Sequence, residues 1–298
     1  KNGDKIGLPQ IGKFKNKKSR KKNKINGSTI LKGMVQAFKD LIQINSMVNG
    51  KFDSISPLKI DDKLHGFNQS SKFKVIRNKD DQALSVELIK KLKNKYNVGV
   101  NDILTSLLCC GIRHYILSKD PDYFKSSKKE YYFSCALAFG FPAKEKYCGQ
   151  EDFLGNGFVL TKYELPIKND NFMDTLTDVY KNTLKLKTSF VAILGDLMLQ
   201  FVCTLGLDSF LRTNSSNMFA RRHCVFSNVP GWQKDVFYKN NKMIKVEASY
   251  LNWIPQFIFC SYNGYYYGTL SIDTNIYKNT SIIFECMYQE LIKQANNL

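Results

Sequence analysis

Histidine, tryptophan and proline are scarce in this chain: three, two and seven among 298 residues. The short motifs that announce common chemistries are missing as well. No G-x-S-x-G elbow, Walker loop, G-x-G-x-x-G or H-E-x-x-H occurs, so serine hydrolysis, nucleotide binding and zinc-dependent hydrolysis have no sequence support. The eight cysteines include no C-x-x-C pair and mostly lie in apolar runs, where a reduced thiol packs as a small hydrophobe. That usage points to a reducing compartment and away from a metal site. No signal peptide opens the chain, and it begins with Lys rather than Met, which leads us to expect a piece of a longer protein.

What is present is enough apolar material, 43% of residues with 13% aromatic, to bury one large core or two smaller ones. The formal net charge of +18 is uneven. Residues 1 to 24 hold ten Lys/Arg against Asp4, a net +9, or half of the total. A tail of this kind reads first as a solvated linker and second as a contact for an anionic membrane. Nucleic acid is not expected as a partner, because the charge is gathered in one tail and the aromatics fall in apolar strands.

Along the chain, "STILKGMVQAFKDLIQ" predicts an amphipathic helix with Ser28 or Thr29 as cap and Ile30, Met34, Phe38, Leu41 and Ile42 inward. A long polar loop punctuated by Pro57 and Gly66 follows, and a boundary is expected near residue 70. Next come a strand at "KFKVIRN" and a helix carrying Leu84, Leu88, Leu92 and Tyr96. A nearly all-apolar central helix then starts at Asn101 or Asp102 as cap. Strands are expected at "EYYFSCALAFG" and "GNGFVLTKYELPI", and a helix at "NFMDTLTDVYKNTLKLKTS". From Cys224 the pattern turns to β, through "HCVFSNV", "MIKVEASYLNW" and "PQFIFCSYNGYYYGTLSID". Asn263-Gly264 marks a type I′ hairpin, and a C-terminal helix carries Ile283, Met287 and Leu291 inward.

The run 190 to 207, "FVAILGDLMLQFVCTLGL", has the apolar content of a membrane span, but Asp196, Gln200, Thr204 and Asp208 recur every fourth residue. A helix buried on most sides is the expected outcome. A helix lying in a membrane interface is the alternative.

His65, His114 and His223 show no Asp or Glu placed to orient them and no adjoining nucleophile motif, so structural roles are expected for all three. Three other places break local rules: Asn101-Asp102 at the head of an apolar helix, "LGNGF" inside strand-like sequence, and "SNVPG" (Ser227, Asn228, Val229, Pro230, Gly231) at a strand end. Capping and turns account for each one alone.

Taken in order, these places resemble the bifunctional wax ester synthase/diacylglycerol acyltransferases of the CoA-dependent acyltransferase superfamily. The blocks are "SPL" at 56 to 58, "VNDILTSLLCCGIRHYI" at 100 to 116, "FLGN" at 153 to 156, "ELPI" at 164 to 167, "SNVPG" at 227 to 231 and "SYNGYYYGTLSID" at 261 to 273. Trp232 stands where the family pattern has Pro, and Leu and Cys follow "ND" where the family is alanine-rich. These departures bear on substrate choice.

The resemblance implies an α/β fold, a chloramphenicol-acetyltransferase-like half-domain with a mixed sheet packed by helices. It implies a tail of the preceding half over 1–70 and the C-terminal half over 71–298, with the family's C-terminal domain at about 150–294. It implies an O-acyltransferase taking a fatty acyl group from acyl-CoA, as substrate rather than cofactor, to diacylglycerol or a long-chain alcohol. No cofactor or metal is expected, and the enzyme would lie peripherally on the cytoplasmic face of a membrane or a lipid droplet. The family's base, the second His of His-His-x-x-x-Asp-Gly, has no counterpart here and by family spacing would lie upstream of Lys1. No catalytic residue is therefore expected within these 298 residues. Asn101, Asp102, Ser227, Asn228, Val229, Pro230 and Gly231 would shape the substrate channel at the interface between halves. The competing reading is a non-catalytic lipid-binding or scaffold protein that retains the fold.

Overall fold

The computed structural model describes residues 27–64, 71–126, 130–140 and 158–298; "FLGN" and His65 lie outside them, as does the basic tail. The main sheet runs, in spatial order, β1 (Phe73–Arg77), β9 (Tyr265–Asp273), β8 (Gln256–Tyr262), β5 (Cys224–Val229), β3 (Ser134–Gly140) and β4 (Phe158–Glu164). A short β2 (Leu84–Ser85) also pairs with β9. The central strands β3, β5 and β8 are parallel, and the flanking pairs are antiparallel. The expected mixed α/β sheet is thus present.

One face of the sheet carries Cys135, Cys224, Phe226, Phe257, Phe259 and Leu270 into the main core. Against it pack α2 (Val86–Tyr96), α3 (Val100–Lys119), α4 (Phe172–Thr188) and the C-terminal α7 (Ile282–Ala295). A helix apolar on all sides must be enclosed on all sides. Accordingly, α3 lies between its neighbours and buries twelve residues. Its Gly111 is pressed on α7, where a Cβ would come within 2.6 Å of the Ile283 carbonyl oxygen. The β8–β9 hairpin turns at Asn263 and Gly264 with φ of 44° and 89°, as a type I′ turn demands.

The second face is covered only in part. It meets α1 (Gly27–Asn49) and α6 (Asp208–Ala220) through a smaller cluster of Met47, Ala136, Met218, Phe219 and Val225, while α5 (Val191–Thr204) packs on β4 and α1. Two expectations fail on this side. In α1 the side chains of Phe38, Leu41 and Ile42 are exposed, while Asp40 and Met47 are buried. Asp40 Oδ2 instead accepts the Phe190 N–H at 2.7 Å, so that face is committed to starting α5. Ser28 and Thr29 also lie inside α1 rather than capping it.

The run 190 to 207 is not buried on most sides either. Only Val191, Ala192 and Val202 of α5 are buried, and the chain turns back at Gly206 with φ of 64°.

Smaller differences have local causes. Leu84 belongs to β2 and not to the helix, because Ser85 caps α2 by accepting the Leu88 N–H. The short β6 (Phe237–Tyr238) and β7 (Asn241–Lys242) pair only with each other, and the "MIKVEASYLNW" segment after them forms no strand. Beta-type composition alone pairs with nothing unless a sheet edge is free.

Candidate functional site

The end of β5 explains its odd sequence. Val225 to Val229 pair in parallel with Gln256 to Cys260, and Pro230, which has no N–H, ends the ladder. The next residue must be glycine: a Cβ on Gly231 would come within 1.9 Å of the Ser261 carbonyl oxygen. The Gly231 N–H donates to Ser261 Oγ at 3.0 Å, and the Asn263 N–H to the Trp232 carbonyl at 2.8 Å. "SNVPG" is thereby fastened to the β8–β9 hairpin.

The head of α3 lies beside it. Neither Asn101 nor Asp102 is the N-cap, as the sequence suggested; Gly99 is. Asp102, at the third helical position, accepts the Gly99 N–H through Oδ2 at 2.7 Å, which satisfies one of the free donors of the first turn. Its Oδ1 is buried and has no hydrogen-bond partner among the described residues. Asn101 is left exposed, and its Oδ1 accepts a 2.6 Å hydrogen bond from the Asn228 amide. Beneath this pair is the buried Tyr266, whose pKa is raised by burial and partly held down by Asn228 and Ser261.

Ser227, Asn228, Val229 and Pro230 line a cavity of about 770 Å³ on the partly covered face of the sheet. Its floor is Ala138, Leu160 and Val225, its side Phe158 and Phe219, and its far wall the segment Tyr250 to Trp253. The polar groups on it are few. Asn252 Nδ2 donates to Gln256 Oε1 at 3.0 Å, and with Ser227 and Asn228 these leave an otherwise apolar lining. A mostly apolar cavity with a few polar groups suits a ligand with a long apolar part. Of the seven residues named from sequence, four line the cavity; Asn101 does not but bonds Asn228, which does, and Asp102 and Gly231 fix neighbouring backbone. The wall at 250 to 253 was missed, since its position depends on a crossing that local pattern does not encode.

His223 requires a correction. Asp53 does orient it: Nδ1 lies 2.9 Å from Asp53 Oδ2, and Nε2 lies 3.1 Å from Ser56 Oγ. Asp53 also accepts the Ser134 N–H at 2.7 Å and its hydroxyl at 2.9 Å, and Arg222 stands 3.9 Å away. An Asp–His–Ser line of this kind resembles a hydrolytic triad in order, but His223 is 0% exposed and Ser56 5%. No acyl carbonyl can reach the serine, so the network is a clamp that fixes the segment 50–60 to the sheet. Its members are 167 and 170 residues apart in sequence, and no short motif connects them. The buried Leu58 in a polar loop was the one available signal. His114 is exposed on α3.

Residues 154–293 match the family model described as the WS/DGAT C-terminal domain. The fold is similar to that of a wax ester synthase/diacylglycerol acyltransferase from Marinobacter aquaeolei VT8, with TM-score 0.57 and 16% identity, over 99% of this chain and 62% of that one. It is also similar to the epimerization domain from the third module of tyrocidine synthetase B, with TM-score 0.50 and 9% identity, over 90% of this chain and 57% of that one. The chain therefore spans less than two thirds of the length of either structure. A search of curated proteins finds no match.

Proposed function

We propose, from the match of residues 154–293 to the WS/DGAT C-terminal domain, that this chain forms the C-terminal part of an O-acyltransferase of that family. The proposed reaction moves a fatty acyl group from acyl-CoA to diacylglycerol or a long-chain alcohol. The acceptor oxygen loses its proton to a histidine base and attacks the thioester carbonyl carbon. The C–S bond breaks, and coenzyme A leaves as the thiol once protonated. No histidine described here fits the role of base: His223 is locked in the clamp and His114 is remote from the cavity lining. We propose that the base comes from a His-His-x-x-x-Asp-Gly motif outside these 298 residues, in keeping with the 62% coverage of the Marinobacter structure.

The observation that carries the reading is the cavity, lined mostly by apolar side chains and including Ser227 to Pro230 of the β5 end. In this proposal the acyl chain lies along the cavity and the thioester end points to the Asn101–Asn228 pair. Asn101, Asp102, Ser227, Asn228, Val229, Pro230 and Gly231 shape the channel and take no proton. The protein would act peripherally at the cytoplasmic face of a membrane or on a lipid droplet, where its acceptors dissolve, and it would need no metal or cofactor.

The test is an assay with palmitoyl-CoA and either dioleoylglycerol or hexadecanol. The chain alone should give no ester, while the chain together with sequence encoded upstream of Lys1 should give ester that is lost on mutating the second His of the motif. An initiator Met immediately before Lys1, with acyl-CoA still bound, would replace this reading by a non-catalytic lipid-binding protein.

A further inference from the structure

Every fourth residue of α5 from Ile193 is apolar and in solvent: Ile193 is 52% exposed, Leu197 56%, Phe201 65% and Leu205, just beyond the helix, 54%. Leaving such a stripe in water is costly, at roughly 25 cal/mol per Å² of apolar surface. We infer that this stripe is a membrane-contact surface that lies flat in the interface of an anionic bilayer.

Three observations favour lipid as the occupant. First, the helix is of the wrong length to cross and the right form to lie down. Its 14 residues span about 21 Å against a hydrocarbon core of about 30 Å, and Gly206 turns the chain back. Among the described residues no single helix is long and apolar enough to span a membrane. Second, the polar neighbours of the stripe are satisfied along the helix itself. Gln200 donates to Asp196 at 2.8 Å, and the Thr204 hydroxyl to the Gln200 carbonyl at 2.8 Å. An apolar phase can approach the stripe without stranding these donors, so no partner's polar groups are needed.

Third, the charge is complementary. Eight Lys/Arg between Lys13 and Lys24 run in sequence into α1, and α1 holds the start of α5 through Asp40. Each such charge near anionic headgroups adds to attraction, and α1 itself exposes Phe38 and Ile42. The inference rests in part on the proposed function, whose acceptors dissolve in bilayers. Binding, however, is measured here without acyl donor or acceptor, so its failure leaves the acyltransferase reading standing.

The test uses flotation of this chain with phosphatidylcholine vesicles, with and without 30% phosphatidylserine. Cys203, the exposed cysteine of α5, carries an NBD label, with Cys203→Ser as the control for other thiols. We expect flotation with the anionic vesicles, a part of which survives 1 M NaCl, and a blue shift of the NBD emission. Ile193→Asp with Phe201→Asp should lower the salt-resistant part at least tenfold, with the circular dichroism and melting temperature unchanged. Phe201→Ser with Leu205→Ser should weaken it less, which guards against misfolding by the aspartates. Unaltered NBD emission together with undiminished binding of the aspartate variant would overturn the inference in favour of charge alone. A dimer in light scattering that the aspartate variant dissociates, with no vesicle binding, would overturn it in favour of a second copy.

Discussion

Asn228, at the end of β5, donates a 2.6 Å hydrogen bond to Asn101 in the first turn of α3, across 127 residues of sequence. The blocks "ND" and "SNVPG" are thus joined into one structural unit, and the bond ties the first turn of α3 to Asn228, which lines the cavity. We expect Asn101→Ala and Asn228→Ala each to lose about 0.5–1.5 kcal/mol in urea denaturation. The double variant should lose less than the sum, with a coupling of about 0.5–1 kcal/mol. If the proposed acyltransferase reading holds, either change in the longer protein should raise KM for acyl-CoA more than it lowers kcat.

Glycines in this fold separate cleanly by surroundings. Gly231→Ala puts a methyl within 1.9 Å of the Ser261 carbonyl, and backbone cannot yield as a side chain can. A loss of roughly 2 kcal/mol or more in unfolding free energy is expected. Gly195, in the interior of α5, has nothing within 4 Å of such a methyl. Gly195→Ala should stabilise by about 0.5–1 kcal/mol, because alanine loses less backbone entropy in a helix. Both values follow from the same denaturation series.

Much of the fold was legible because it is local. The all-apolar α3, the Asn263-Gly264 hairpin, and the inward face of α7 at Ile283, Met287 and Leu291 each follow from spacing and turn chemistry, and each is buried or turned as expected. What failed depends on partners distant in sequence. Phe38 and Ile193 have the periodicity of core residues, but periodicity identifies an apolar face and not what covers it. The site divides in the same way. "SNVPG" breaks a local rule and could be found, whereas the Asp53–His223 contact and the wall at Tyr250 to Trp253 exist only after the chain has crossed the sheet.

The clamp around His223 should matter to stability and not to chemistry. Asp53→Ala removes the acceptor for the Ser134 N–H, the Ser134 hydroxyl and the His223 ring, all buried. A loss of roughly 3 kcal/mol or more is expected, against about 1 kcal/mol for Ser56→Ala. A fluorophosphonate probe should leave Ser56 unlabelled in the native protein. Labelling that is abolished by His223→Gln would instead make the line a working triad.

Burial pushes the thiols of Cys109, Cys135 and Cys224 well above their ordinary range, and that of Cys110 up to about 12. In the unfolded chain these groups ionise near pH 8.5. Above that pH the unfolded state releases protons that the native state keeps, so stability is whole below about pH 8.5 and falls as pH rises toward the native values. Melting temperature should decline between pH 8.5 and 10.5, and less steeply when Cys109 and Cys224 are replaced by alanine or valine. Iodoacetamide at pH 8 should modify the exposed Cys203 before these four.

Chain length is the sharpest probe of the cavity, because transfer of each methylene out of water is worth about 0.8 kcal/mol. If acyl groups lie along the apolar lining, affinity for saturated acyl-CoAs should rise roughly fourfold per methylene from eight carbons upward. It should then level off when the 770 Å³ are filled. Ala138 lies on the floor of that space, on β3, and Ala138→Trp would fill part of it from below. The plateau should move to shorter chains in that variant. Calorimetry or competition with a fluorescent acyl probe measures both curves. A plateau that stays in place in Ala138→Trp would mean that the chain binds elsewhere, whereas equal weakening at every length would mean that the substitution disturbs the sheet.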